Sequence, residues 1–190
     1  MKQTVLLVLL ILPWGFAQGQ FYEQLADSAE VLVQDRVRYD PSYFSIDYPM
    51  GDVPADVGVC TDVIIRAYRK LHIDLQVLVH EDMRDHFQVY PQFWGLNGTD
   101  RNIDHRRVPN LMKYFDRKGA SIPITENVSD YLPGDVVSWN LGGGTTHIGI
   151  VSSQKAPSGR YYIVHNMGRG QVMEDMLFDF KIIGHYRFQP

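Results

Sequence analysis

The sequence predicts an α+β domain in which helices come first and an antiparallel sheet second. Two observations carry this. Apolar residues recur at helical spacing in the first two thirds of the chain, and after Pro133 the period drops to two in short runs separated by Gly, Ser and Pro turns. A third bounds the size: the full chain is 45% apolar and 21% charged, ordinary globular composition, and positions 20–190 are enough for one domain with one core.

Met1–Gly19 offers one charge, Lys2, then the apolar run Val5–Leu12, then Ala17 and Gly19. The run is short for a membrane span, and small residues precede Gln20 as a signal peptidase requires. The expectation is a signal peptide over 1–19 cut before Gln20, with no integral membrane segment afterwards and a periplasmic or secreted product. Without Lys2 the formal charge moves from -4 to -5, and no basic run exists, which argues against nucleic acid as a partner.

Phe21–Arg38 carries Leu25, Ala29, Leu32 and Val33 at helical spacing and predicts a scaffold helix ended by Tyr39-Asp40-Pro41. The Tyr-, Pro-, Gly- and Asp-rich segment to Pro54 predicts a loop. In Asp56–Leu71, Val63, Ile64, Ala67 and Leu71 lie three and four apart, so a helix is expected with Cys60 at its start and Arg66, Arg69 and Lys70 on the other side. His80–Gly119 is polar, aromatic and irregular, and a loop is expected there except for a short helix from Pro109 to Gly119. Strands are expected at Asp135–Trp139, His147–Ser152, Tyr161–Asn166 and Ile182–Phe188.

Cys60 is the only cysteine, so it makes no internal disulfide. A helix start supplies free backbone N–H groups and positive potential, which favour a thiolate and predict a depressed pKa. His147 shares a strand face with Gly149 and Val151, and the glycine predicts close approach of a helix on that face. His165 shares its face with Ile163 and stands beside His147 if the two strands pair. Cysteine, histidine and a third polar group are the parts of a thiol nucleophile system, with His147 as base and His165 orienting its ring. Asn166, on the opposite strand face, is the alternative third member if the strand bulges.

The pieces Leu132-Pro133-Gly134-Asp135-Val136-Val137, His147-Ile148-Gly149-Ile150-Val151 and Ile163-Val164-His165 resemble signatures of the NlpC branch of papain-like cysteine peptidases. This resemblance implies a papain-like (NlpC-type) domain with Cys60, His147 and His165 as catalytic residues and Tyr48 as an oxyanion donor. Val59 and Thr61 depart from that branch's usual Asp and Ser. More extensively, GVCTDVIIRAYR, DLQVLVHEDM, NIDHRRVPNL, PGDVVSW, HIGIV, HNMG and GHYRF resemble an exported bacterial family, domain of unknown function 1287. The implied activity is hydrolysis of amide bonds in peptidoglycan stem peptides, as amidase or endopeptidase, without a cofactor.

His105, Arg106 and Arg107 form the densest basic spot. Its arginines either bind a substrate carboxylate through the guanidinium fork or pair with an acid in the loop, one arginine each being compatible with the sequence. Trp94, with Tyr90 and Phe93, is either a platform for a sugar or peptide or a cover for the loop. Two alternatives to the enzyme follow: a non-catalytic module binding wall glycan or peptide, and a metallohydrolase. The seven histidines lack ligand spacing, so no metal site is assigned.

Overall fold

A computed structural model describes residues 14–190, with side chains from residue 19 onward. Residues 1–13 of the expected signal segment therefore lie outside the described residues, and 14–19 fall within the first helix. Among those residues the chain is a mixed α+β domain with four α-helices and a five-stranded antiparallel sheet. No described helix is long and apolar enough to cross a membrane.

Helix α1 spans Trp14–Val31, a 3-10 turn follows at Leu32–Gln34, and two-residue strands β1 (Arg38–Tyr39) and β2 (Val57–Gly58) pair in parallel. The first helix thus ends earlier than Arg38, because the backbone there turns to meet the residues before Cys60: the Arg38 N–H donates to Asp56 O at 2.8 Å and the Asp40 N–H to Gly58 O at 3.2 Å.

Helix α2 covers Cys60–Lys70, starting where expected. Its first turn is held by Asp62, whose Oδ2 accepts the Val59 backbone N–H at 2.7 Å. Val63, Ile64, Ala67 and Tyr68 are fully buried and Ile65 nearly so. Burial of Val63, Ile64 and Ile65 stabilises the fold by about 1.5–3 kcal/mol each. The expected outer arginines are half-buried: Arg66 and Arg69 both reach Asp52, at 3.0 and 2.9 Å.

Helix α3 (Leu75–Asp85) lies where the sequence was expected to be irregular from His80. Leu75, Val79 and Met83, four residues apart, form one fully buried stripe that crosses that boundary, and the polar HEDMRD run is largely its outer surface. The Asp74 side chain accepts the Gln76 N–H at 3.0 Å and caps its start. After short 3-10 turns, α4 (Val108–Arg117) begins with Pro109 in its first turn and is followed by Gly119 at φ 69°, as expected.

The sheet comprises β3 (Val136–Gly142), β4 (Thr145–Lys155), β5 (Tyr161–His165), β6 (Val172–Glu174) and β7 (Lys181–Tyr186), in the order β6-β5-β4-β3-β7. All four expected strands are present; the three-residue β6 is additional. Val136, Ile148, Ile150, Val164 and Tyr186 join the helices in the main core, while Val137, Trp139, Val151 and Ile163 form a second cluster with Tyr131, Met176 and Leu177. Each face of the sheet is therefore covered, one by helices and one largely by the crossing segment between β6 and β7. That segment is tied down by Trp139, whose Nε1–H donates to Leu177 O at 2.8 Å.

Candidate active site

Cys60 sits at the first residue of α2, which packs on β4, and its side chain belongs to the core cluster containing Ile148 and Ile150. The helix therefore lies on the isoleucine face of β4, opposite the face expected from Gly149. The physical reason lies in what Gly149 adjoins: a Cβ there would fall 2.6 Å from Ile163 Cγ2 and 3.2 Å from His165 Cβ. The glycine makes room for β5 and its histidine, and the apolar Ile148 and Ile150 take the helix.

Beside Cys60 opens a cleft of about 360 Å³, with Tyr39, Trp94, Arg107, Thr145 and Thr146 among its lining residues. The Ile148 backbone N–H interacts with the sulfur, so the thiol stands against the strand immediately after His147. Burial nevertheless pushes the thiol up to about 12; Asp62 adds to the rise, and the N–H groups of Ile148, Thr61 and Cys60 only partly oppose it. The expected depressed pKa is thus reversed, because desolvation of a buried thiolate exceeds what the helix start supplies.

His147 and His165 do stand together, with Nε2 of the first 3.1 Å from Nδ1 of the second and the rings nearly perpendicular. Both are buried. Burial brings His147 down to about 3, with the neighbouring His165 adding to the fall. His165 is also lowered by burial, against the opposing pull of Glu174. Cys60 and His147 accordingly rest as neutral thiol and neutral imidazole. His147 Nε2 is committed to His165, which leaves Nδ1 as the nitrogen able to take a proton.

The two candidates for the third place separate clearly. Asn166 faces away: its Nδ2–H donates to Gly58 O at 3.2 Å and its Oδ1 accepts the Gly168 N–H at 3.1 Å, so it braces β2 just before Cys60. Glu174, which the sequence reading did not single out, lies 3.2 Å from His165 Nε2. Only the pairing of the short β6 with β5 brings it there, and three residues leave no legible period.

Tyr48 is not at the site. Its hydroxyl points to Glu81 at 3.5 Å and its ring meets the edge of His80, on the α3 side of the molecule. The tyrosine near the thiol is Tyr39, placed by the β1 and β2 pairing, which lines the cleft and whose phenol is raised by burial first, with Cys60 and Asp62 adding to the rise. The parallel bridge between β1 and β2 is too short to read from sequence, which is why the nearer tyrosine was missed.

The basic triplet divides. Arg106 is buried and forms a fork with Asp62, Nε to Oδ1 at 2.9 Å and Nη2 to Oδ2 at 3.0 Å, while its carbonyl accepts the Thr61 hydroxyl at 3.1 Å. Its guanidinium is a clamp between α2 and the cleft wall, so its fork is not free for a substrate. Arg107 stacks over Trp94, 4.2 Å from the ring centre, lines the cleft, and has Nη1 buried without a partner. Trp94 itself is 53% exposed. His105 lies outside the cleft, buried, and is lowered to about 3 by burial and then by Arg106. It therefore belongs to the scaffold and not to a substrate surface. Elsewhere His185 is 2.9 Å from the buried Asp135, and among the described residues no three His, Cys, Asp or Glu side chains gather as ligands to a metal would.

Fold and site together define a mixed α+β domain with a buried cysteine at a helix head, set against a strand that carries one of a histidine pair. The chain belongs to the bacterial family described as domain of unknown function DUF1287, whose profile matches residues 26–188. It is 49% identical over 164 residues to "Uncharacterized protein YijF" of Escherichia coli (strain K12), an alignment covering 86% of this chain and 80% of that protein. No solved structure matches.

Proposed function

We propose that this protein is an exported cysteine hydrolase of papain-like, NlpC type that cleaves amide bonds in peptidoglycan stem peptides. The observation that carries the reading is the thiol at the head of α2, opening on a cleft and touching the backbone N–H of Ile148, one residue beyond a histidine backed by a second histidine. Motif order along the chain supports the family likeness, and the Met1–Gly19 pattern supports export to the periplasm or beyond.

The chemistry starts from a neutral pair. In the proposed step Cys60 Sγ attacks the amide carbonyl carbon and the thiol proton passes to His147 Nδ1, for which the ring must turn at the start of β4 from its place against Trp139 towards the thiol. The oxyanion is met by the free N–H groups at the start of α2 and by the Tyr39 hydroxyl. The imidazolium returns its proton to the departing nitrogen as the C–N bond breaks; water then attacks the thioester with His147 as base, and the C–S bond breaks as the imidazolium returns that proton to Cys60. Arg107, held flat on Trp94, is the cation offered to a carboxylate beside the scissile bond.

Alkylation of folded protein by iodoacetamide tests this reading. His147→Ala should slow the reaction of Cys60, since the base that removes the thiol proton is gone. Labelling that occurs only after denaturation would make Cys60 a packing residue and end the enzyme reading. One further reading has an observation behind it: the half-exposed Trp94 stacked with Arg107 also suits a module that binds wall glycan or peptide without turnover. Retained wall binding by Cys60→Ala together with no turnover by wild type would favour that module.

A further inference from the structure

We infer that Glu174 is a positioning residue that selects the tautomers of the His165 and His147 pair and so leaves His147 Nδ1 free to act as a base. The inference rests on the hydrolase reading for its catalytic consequence, while its direct readout, the position of two protons, does not.

The argument begins with strand pairing. Ile163 of β5 lies directly opposite Glu174 of β6, and cross-strand partners share a face. His165 is two residues beyond Ile163 on that same face, so the carboxylate is aimed diagonally at its ring. Glu174 Oε2 is 3.2 Å from His165 Nε2, within hydrogen-bond reach but with the N–H poorly aligned, and this buried nitrogen has no other partner among the described residues. The other carboxylate oxygen is 3.4 Å from Arg169 Nη1, on the largely exposed Arg169. The glutamate thus sits with one oxygen toward solvent and one toward the buried histidine.

The consequence follows from counting donors and acceptors. A carboxylate only accepts, so the proton of neutral His165 belongs on Nε2 and its Nδ1 carries a lone pair. Nδ1 is 3.1 Å from His147 Nε2, so that nitrogen must donate. Neutral His147 then has its single proton on Nε2 and a bare Nδ1, the arrangement that a base beside a thiol requires. Reversing the chain, with His165 protonated on Nδ1, would put the His147 proton on Nδ1 and remove the base. Both directions satisfy the contact between the histidines; only the glutamate distinguishes them.

The test is the nitrogen-15 spectrum of histidine side chains in the full chain near neutral pH, compared among wild type, Glu174→Ala and Glu174→Gln, with iodoacetamide alkylation of Cys60 in parallel. Wild type should show both His165 and His147 protonated on Nε2 alone. Glu174→Ala, and Glu174→Gln whose amide offers either a donor or an acceptor, should convert His165 to a mixture of tautomers. Alkylation should fall by roughly 10- to 100-fold in Glu174→Ala, with a melting temperature close to that of wild type. His165 remaining solely Nε2-protonated in both variants, or protonated on Nδ1 in wild type, overturns the inference. If the tautomers shift as expected and no variant or wild type hydrolyses wall peptide, the hydrolase reading fails and the positioning role stands. If Cys60-dependent turnover is intact in Glu174→Ala, the positioning role fails and the hydrolase reading stands.

Discussion

A thiol raised to about 12 at the head of α2 and an imidazole lowered to about 3 on the strand that α2 packs against set the chemistry of this site at the level of single residues. Because the thiolate alkylates far faster than the thiol, the rate of Cys60 modification above pH 9, where hydroxide takes over from His147 as the base, should climb by about tenfold per pH unit; a plateau near pH 7 would show a resting ion pair instead. The two arginines give an equally direct contrast. Arg106→Met leaves Asp62 buried without its partner and should cost about 3–5 kcal/mol, visible as a lower melting temperature. Arg107→Lys keeps the charge but loses the flat fork over Trp94, so it should raise KM on wall peptides and leave the melting temperature nearly unchanged. Stability lost at Arg107 and not at Arg106 would reverse the assignment. The sequence made Cys60, His147 and the His165 contact legible because each sits in a periodic segment. Tyr39, Glu174 and the sign of the thiol shift were not legible, since they depend on two- and three-residue strands and on burial, which spacing does not encode.

At the scale of elements, the turn before β3 shows how local chemistry fixes packing. Gly134 adopts φ 82°, and a Cβ there would fall 2.2 Å from the Tyr22 carbonyl oxygen of α1. Gly134→Ala should therefore destabilise by more than about 1 kcal/mol from backbone conformation alone, with the clash against α1 adding to it; chemical denaturation of the variant checks this, and wild-type stability would contradict the close approach. Asp135, next in the same turn, accepts the Leu132 N–H at 2.8 Å and stands 2.6 Å from Arg187, so this Pro-Gly-Asp turn ties α1, β3 and the C-terminal residues together. Such turns and the long alternating strands were readable in the sequence. Helix α3 was not, because Gln76, Asp82 and neighbouring polar residues interrupt a stripe whose period is clear only from Leu75 through Met83. The face of β4 that receives α2 was misread for a related reason: a glycine reports that something comes close, and here that neighbour is a strand.

For the whole molecule, two buried neutral histidines make stability depend on pH in a defined direction. His105 and His147 titrate near 3 in the fold and near their ordinary 6.5 when unfolded. The unfolded chain therefore binds more protons below pH 6.5, and stability should fall as pH drops from 6.5 towards 3, by about 2 kcal/mol per histidine at pH 5. Melting curves between pH 5 and 8 check this, and His105→Gln should flatten the slope; a melting temperature that rises on acidification would contradict neutral burial. The proposed activity itself is tested most directly by digesting purified peptidoglycan with wild type, Cys60→Ala and His147→Ala and weighing the soluble products by mass spectrometry. The account predicts fragments from wild type whose masses mark a hydrolysed amide bond, and none from either variant. Wild type that binds the wall and releases nothing, or Cys60→Ala that releases the same fragments, would contradict it.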